Sequence, residues 1–329
     1  MQVLLTGGLG FIGSHVAIEL IINDYNVVII DNLCNSSIDV LDKIKIITNK
    51  KPIFYEGDFQ NISLLEEVFT EHKIECVIHL AAYKSVSDSL MYPLKYYENN
   101  VSGLITLLKT MEKFNIDKFI YSSSATVYKP SDISLSEDSN KGPINPYGQT
   151  KLIGEQILQD IKNMKITILR YFNPVGCHES GLIGDNPLIP TNLFPYIMDV
   201  IRGKKDYVEI YGCDYDTHDG TPIRDYIHIS DLAIGHRVAM ENLQNGLKIY
   251  NLGTGKGYSV LDVVLLFNRS CKGNTNIKYK FVGRRNGDAP SVFANPSLIE
   301  KELGWKVTKT LEDMVLDSLK FVKMTSSFI

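Results

Sequence analysis

Short apolar runs bounded by turn residues recur through the first half of the chain, at residues 2–5, 27–30, 53–55, 77–80, 119–122 and 166–170. Continuous rather than alternating apolar runs of this length predict parallel strands buried on both faces. Between them, residues 12–22, 62–72, 94–114 and 147–163 carry apolar side chains at three- and four-residue intervals, which predicts helices with one buried face. Strands alternating with helices predict an α/β fold built on a doubly wound parallel sheet. After about residue 171 the rhythm fails, and prolines, glycines and aromatics interleave, as in Asn173-Pro174-Val175-Gly176 and Asp219-Gly220-Thr221-Pro222. The expected division is therefore a sheet domain over residues 1–171 and a smaller, mixed α/β lobe over 172–329 that closes over a ligand. No repeat, low-complexity tract or Pro/Ser linker separates the halves, so chain segments are expected to cross between them.

Composition narrows the function. With 329 residues, 44% hydrophobic and 22% charged, the chain can bury a core for one large α/β domain and a lobe. A net charge of -4 gives no footprint for nucleic acid, and no apolar run approaches the roughly 18 residues of a membrane span, so neither partner is expected. Met1-Gln2 leads straight into the first strand without a secretion signal, and a cytoplasmic protein is expected. The five cysteines (Cys34, Cys76, Cys177, Cys213, Cys271) are scattered, without C-x-x-C spacing, and read as reduced thiols. His15, His79, His178, His218 and His228 show no metal-ligand spacing, so no metal is expected.

The chemistry starts at Gly7-Gly8-Leu9-Gly10-Phe11-Ile12-Gly13, which follows the first strand and opens the first helix. In that context Gly7, Gly10 and Gly13 allow a tight turn, close approach of backbone to a pyrophosphate, and close packing of a helix whose N-terminal N–H groups favour phosphate. Asp31 ends the second strand, eighteen residues after Gly13, where a carboxylate hydrogen-bonds an adenosine ribose and repels a 2′-phosphate, which favours NAD over NADP. A Walker phosphate loop is excluded, because Gly13 is followed by Ser14-His15 and not by Lys and a hydroxyl residue. A second glycine-rich run, Gly253-Thr254-Gly255-Lys256-Gly257, lacks a phosphate-loop frame and reads as a tight turn in the lobe.

Tyr147 and Lys151 lie four residues apart, on one face of a predicted helix. An ammonium there favours the phenolate, so Tyr147 is expected to act as a base near neutrality. Ser124, at a strand end, is placed to share the proton or hold a substrate hydroxyl. Glycine loop and Ser/Tyr/Lys set together point to hydride chemistry on an alcohol.

The runs Thr6–Gly13, Asp31-Asn32-Leu33, Glu56-Gly57-Asp58, Ser122–Tyr128, Tyr147–Lys151, Arg170–Gly176, Arg224–His228, Tyr250–Gly253 and Arg284–Asp288 cover essentially the whole chain in order. With them the sequence resembles the extended short-chain dehydrogenase/reductases and, within these, the UDP-glucose 4-epimerase branch. The resemblance implies reversible interconversion of UDP-glucose and UDP-galactose through a 4-keto sugar, with NAD retained throughout. It implies that Tyr147 takes the proton of the sugar 4-hydroxyl, that Lys151 also holds the nicotinamide ribose, and that Asp31 and Asp58 fix the adenosine end. Phe11, Ile12, Asn32, Asn35, Phe59, Leu80, Ala81, Lys84, Asn99, Ser122 and Phe172 fall among the cofactor contacts. On the substrate side, Arg224 and Arg285 match diphosphate contacts, Asn173 and Asn192 polar contacts, Tyr211 the uracil-site aromatic and Asp288 the uridine ribose acceptor, with Lys84, Ser124 and Leu193 also at the substrate. Val292 stands where members that exclude N-acetyl sugars carry a tyrosine, so acceptance of UDP-N-acetylglucosamine and UDP-N-acetylgalactosamine is expected. The resemblance also implies a homodimer formed through the helices at 94–114 and 147–163.

Two positions depart from the pattern: Lys129 stands where a glycine is usual, and Ala82-Tyr83 replaces glycine-leucine before Lys84. Rival readings are a nucleotide-sugar 4,6-dehydratase, a UDP-glucuronate decarboxylase, or a noncatalytic NAD-binding sensor. The first two tend to carry carboxylates where Ala125 and Thr126 stand here, and retention of Ser124, Tyr147 and Lys151 weighs against the third.

Overall fold

The computed structural model describes residues 1–131, 133–187, 189–271, 276–285 and 288–325 of the chain. Six strands of the first half, β1 (Gln2–Thr6), β2 (Asn26–Asp31), β3 (Ile53–Glu56), β4 (Cys76–His79), β5 (Lys118–Ser124) and β6 (Lys165–Tyr171), form a parallel sheet. A seventh strand, Gly246–Leu252, joins it from the second half, giving the order Gly246–Leu252, β6, β5, β4, β1, β2, β3. The order reverses between β1 and β4, and in an open sheet of this kind the crevice beyond the carboxyl ends of such strands is where ligands bind. Both the glycine loop, which follows β1, and Leu80-Ala81, which follow β4, lie at that point.

The strands read as unbroken apolar runs because both faces are covered. Val3, Leu5, Ile29 and Ile78 face α1 (Phe11–Ile22) and the helices Val40–Thr48 and Ile229–Glu241. Leu4, Val28 and Val77, one residue out of phase, face the helices Ile62–Glu71 and Gly103–Lys113. The helix expected over 94–114 is three pieces: Pro93–Tyr97, a π-helical turn Glu98–Ser102, and Gly103–Lys113. The wider turn brings Asn99 to the cleft, while buried Asn100 bonds Tyr83 and Thr150. The helix expected over 147–163 runs Pro146–Asp160.

Beyond β6 the strands outside this sheet are short. Asn173–Val175 pairs with Tyr226–His228, Val208–Tyr211 with Tyr279–Val282, and Tyr258–Ser259, Ile223–Arg224 and Ser291–Val292 form a three-stranded sheet. Their core gathers Phe194, Ile197, Val263, Phe267 and Met314. Lys129 makes no demand for glycine: it is not among the residues with positive φ, and its N–H bonds Asn140 O at 2.9 Å.

Candidate active site

The glycine loop shows which glycine serves which purpose. Gly7 has φ +71°, and a Cβ there would sit 2.8 Å from Ala81 N. A Cβ on Gly13 would strike Gly7 O, so this residue is needed for the helix to lie against the turn. At Gly10 a Cβ would meet Gly7 O alone, at 3.4 Å, with open space otherwise. Gly10 caps α1 without a side-chain bond, and no acidic residue occupies the first turn. The α1 N-terminus thus presents free amides and the positive end of its dipole to an open cradle, the chemistry a pyrophosphate requires.

The cleft is lined by Gly7, Gly10, Phe11, Ile12, Gly13, Asp31, Asn32, Asn35, Phe59, Leu80, Ala81, Lys84 and Asn99. Asp31 is buried there: its Oδ1 accepts from Leu33 N (3.0 Å) and Ser36 Oγ (2.7 Å), its Oδ2 from Leu9 N (2.9 Å). One lone pair on Oδ2 remains for a ribose hydroxyl. Asp58 is outside the lining and accepts from Asn32 Nδ2 at 3.1 Å, so it orients Asn32. Donor set, open cradle and acidic ribose acceptor together fit NAD. Cys34, Ser36, Gly57, Ala82 and Tyr83 also line the cleft and were not anticipated. Gly57 lay in one of the family-like runs and Ala82-Tyr83 departed from the family pattern, so these three carried a signal; the Tyr83 N–H and carbonyl are both held by Asn100, at 3.0 Å each.

Ser124, Tyr147 and Lys151 stand apart from the lining of this cleft, with Ser122 and Phe172. β5 delivers Ser124 to the start of the short 3₁₀ turn Ala125–Val127. Asn145 caps the helix that carries Tyr147, accepting from Gly148 N at 2.8 Å, and Pro146 occupies its first turn. Lys151 is buried, donates to Ser122 O at 2.5 Å and lies 5.0 Å from the Tyr121 ring centroid. Burial pulls Lys151 down to about 7, opposed by Glu155 one turn on. Burial pushes the Tyr147 phenol up, opposed by the Ser124 hydroxyl. Of the two groups expected to favour the phenolate, it is the Ser124 hydroxyl that acts against the burial here. Glu155 is itself gripped by Arg170 at 2.9 and 2.6 Å and by Ser123 Oγ at 2.5 Å, an ion pair wholly inside the protein that joins the Tyr147 helix to β6.

The residues expected at a substrate lie in the second half. Arg224 is ion-paired with Asp288, and the Arg285 guanidinium lies 3.9 Å from the Tyr211 ring centroid. Asn192 begins the helix Leu193–Ile201 without using its side chain as a cap, which leaves that amide free for other work. Asn173 starts the strand Asn173–Val175, and half-buried Val292 packs on a cluster with Val127, Tyr128, Phe172 and Ala294. Asn286 and Gly287 of the Arg284–Asp288 run lie outside the described residues. His218, Asp219 and Asp262 approach one another, but Ser259 bonds both carboxylates at the start of the helix Val260–Ser270, and Thr221 also bonds Asp219.

The fold and cleft define a dinucleotide-binding protein of the doubly wound class. A model of the NAD dependent epimerase/dehydratase family matches residues 3–253, and the chain belongs to that family. It is 49% identical over 332 residues to the UDP-glucose 4-epimerase of Haemophilus influenzae, covering 98% of each chain. It superposes with TM-score 0.95 and 45% identity on the Bifidobacterium longum UDP-glucose 4-epimerase solved with NAD+ and UDP, covering 100% of both chains. The UDP-Glc/GlcNAc 4-epimerase of Campylobacter jejuni matches at TM-score 0.84 and 32% identity, over 98% of this chain and 99% of that one.

Proposed function

We propose that this protein is an NAD-dependent isomerase that interconverts UDP-glucose and UDP-galactose by inverting C4 of the sugar. The observation that carries the reading is full-length likeness to epimerases of that activity, at 45–49% identity, in a chain that keeps both the open dinucleotide cradle and Ser124, Tyr147 and Lys151. Bound NAD supplies a reversible hydride acceptor for C4. The protein's own residues do the rest. Tyr147 takes the proton of the 4-hydroxyl, with Ser124 beside it as a hydrogen-bond donor that favours the phenolate, and Lys151 would hold the nicotinamide ribose. The 4-keto sugar would then turn over in the pocket to present its other face, and Tyr147 would return the proton to the C4 oxygen. Turning over demands strong contacts at the diphosphate and weak ones at the hexose. Arg224 and Arg285 supply the former, since a planar guanidinium fork grips phosphate bidentately. Thr126 bonds Ser124, and neither it nor Ala125 offers the carboxylate that an elimination needs.

In this reading residues 1–171 hold the cofactor and 172–329 the UDP-sugar. N-acetylated UDP-sugars are also substrates, since valine at position 292 leaves room beside the sugar 2-substituent. The protein works as a homodimer in the cytoplasm. Supporting this, Leu90, Met91, Tyr92 and Leu94 are exposed beside the Tyr147 helix, all five cysteines are unpaired, and no described helix is long and apolar enough to cross a membrane. The test is product analysis from UDP-galactose without added NAD. UDP-glucose is expected, and a 4-keto-6-deoxy product or no conversion overturns the reading. Sedimentation of the purified protein tests the dimer, with a monomer at micromolar concentration overturning that part.

A further inference from the structure

The glycine-rich run Gly253–Gly257 wraps a carboxylate of the protein itself. Asp225 is fully buried, and its Oδ1 accepts from Thr254 N (2.8 Å) and Thr254 Oγ1 (2.6 Å), its Oδ2 from Gly255 N (2.9 Å) and Ala294 N (3.0 Å). Every side-chain partner is a donor, so the arrangement holds the ionised form against the burial that pushes this carboxyl up. Consecutive N–H groups curled round an anion form a nest, and the run has the geometry for it: Gly255 has φ +73°, and a Cβ on Gly253 would lie 2.7 Å from Asp225 Oδ2.

The position of this carboxylate gives it a consequence for the substrate. Arg224 sits in the central strand of the three-stranded sheet, paired with Tyr258 on one side and Val292 on the other. Each strand is two residues long, too few ladder bonds to fix a register alone. Asp225 closes the arrangement from its end, tying the Thr254–Gly255 loop that leads into one outer strand to Ala294 just beyond the other. Its backbone extends the tie: Asp225 N donates to Val292 O at 3.1 Å, and Asp225 O accepts from Asn173 N at 3.0 Å.

We propose that Asp225 is the positioning residue of the UDP-sugar site, its nested carboxylate holding Arg224, Val292 and Asn173 in the mutual register at which they meet the ligand. This rests on the reading of Arg224 as a diphosphate contact. Asp225 touches no reacting atom, so its loss acts on binding and not on the hydride step.

The experiment uses the full-length, NAD-loaded protein. Asp225→Asn is expected to raise the UDP-galactose KM and the UDP inhibition constant by about tenfold, with kcat at saturation held within about threefold and NAD content unchanged. Thr254→Val, which removes one hydroxyl donor, should move both constants the same way by about threefold, and Thr254→Ser should restore them. Should Asp225→Asn not fold, the Thr254 pair decides. Unchanged UDP affinity in Thr254→Val, or a fall in kcat with UDP affinity kept, overturns the proposal. Arg224→Lys separates the two levels. Unchanged UDP affinity in that variant overturns the diphosphate reading itself, whereas weakened binding there with none in Thr254→Val overturns only the role of Asp225.

Discussion

Thr126 donates twice to Ser124, its N–H reaching Ser124 Oγ at 3.2 Å and its hydroxyl at 3.0 Å. A hydroxyl has two lone pairs and one proton. With both lone pairs engaged, Ser124 is left as a donor, and its hydroxyl pulls the Tyr147 phenol's pKa downward against burial. Tyr147→Phe is therefore expected to lower turnover by about 10²–10⁴ while UDP affinity stays the same. Thr126→Val should lower kcat several-fold with KM kept, and Thr126→Ser should recover it. Steady-state kinetics at saturating UDP-galactose decides, and an unchanged rate in Tyr147→Phe would mean another group takes the proton.

Lys151 gives a pH dependence of stability with a definite sign. Its folded pKa is about 7, below the ordinary lysine value of 10.5, because burial penalises the ammonium. Between those values the unfolded chain binds more protons than the folded one, so this group's contribution to stability rises with pH. Against Lys151→Met, which cannot titrate, the wild type should gain stability steadily from pH 7 to pH 10. Urea unfolding of the two cofactor-free proteins across that range measures the difference, and a gap flat in pH would mean Lys151 keeps its ordinary pKa.

The glycine loop separates folding from cofactor binding. Gly13→Ala drives a Cβ into Gly7 O and should destabilise the protein outright. Gly10→Ala meets only one atom, at 3.4 Å, and should leave the melting temperature of the cofactor-free protein nearly unchanged while the purified protein loses most of its NAD. Retention of NAD by Gly10→Ala at the wild-type level would show that the cradle over Gly10 is not where the pyrophosphate lies.

Val292 sits opposite Arg224 in its strand pair and packs on Phe172 and Ala294. In Val292→Tyr an added ring would occupy the space an acetamido group needs. Activity on UDP-N-acetylglucosamine should be lost selectively, with UDP-glucose and UDP-galactose activity largely kept. A wild type inactive on N-acetyl sugars, or a tyrosine variant equally active on them, would remove Val292 as the gate.

The buried strands were legible in the sequence because a strand covered on both faces must be apolar throughout, as Val3-Leu4-Leu5 is. The seventh strand was not. Gly246–Leu252 lies at the sheet edge with Leu247 and Lys248 partly or fully exposed, and breaks the apolar run that marked the others. The π-helical turn at Glu98–Ser102 was also hidden, since one widened turn leaves the spacing of apolar residues on either side intact. In the site, Tyr147 and Lys151 were visible because their relationship is local, four residues on one helix. The grip of Asp225 on Thr254 and Ala294 spans 29 and 69 residues, and that of Glu155 on Arg170 crosses from helix to strand, so no spacing rule reports them.

The central claim is that hydrogen leaves C4 and returns to C4 without entering water, and deuterium at that carbon tests it most directly. UDP-galactose labelled at C4 is converted by the purified protein in ordinary water with no added NAD, and the product is read by NMR. The account predicts UDP-glucose with the deuterium still at C4, delivered to the opposite face. Loss of the label to solvent, or inversion dependent on added cofactor, would contradict it.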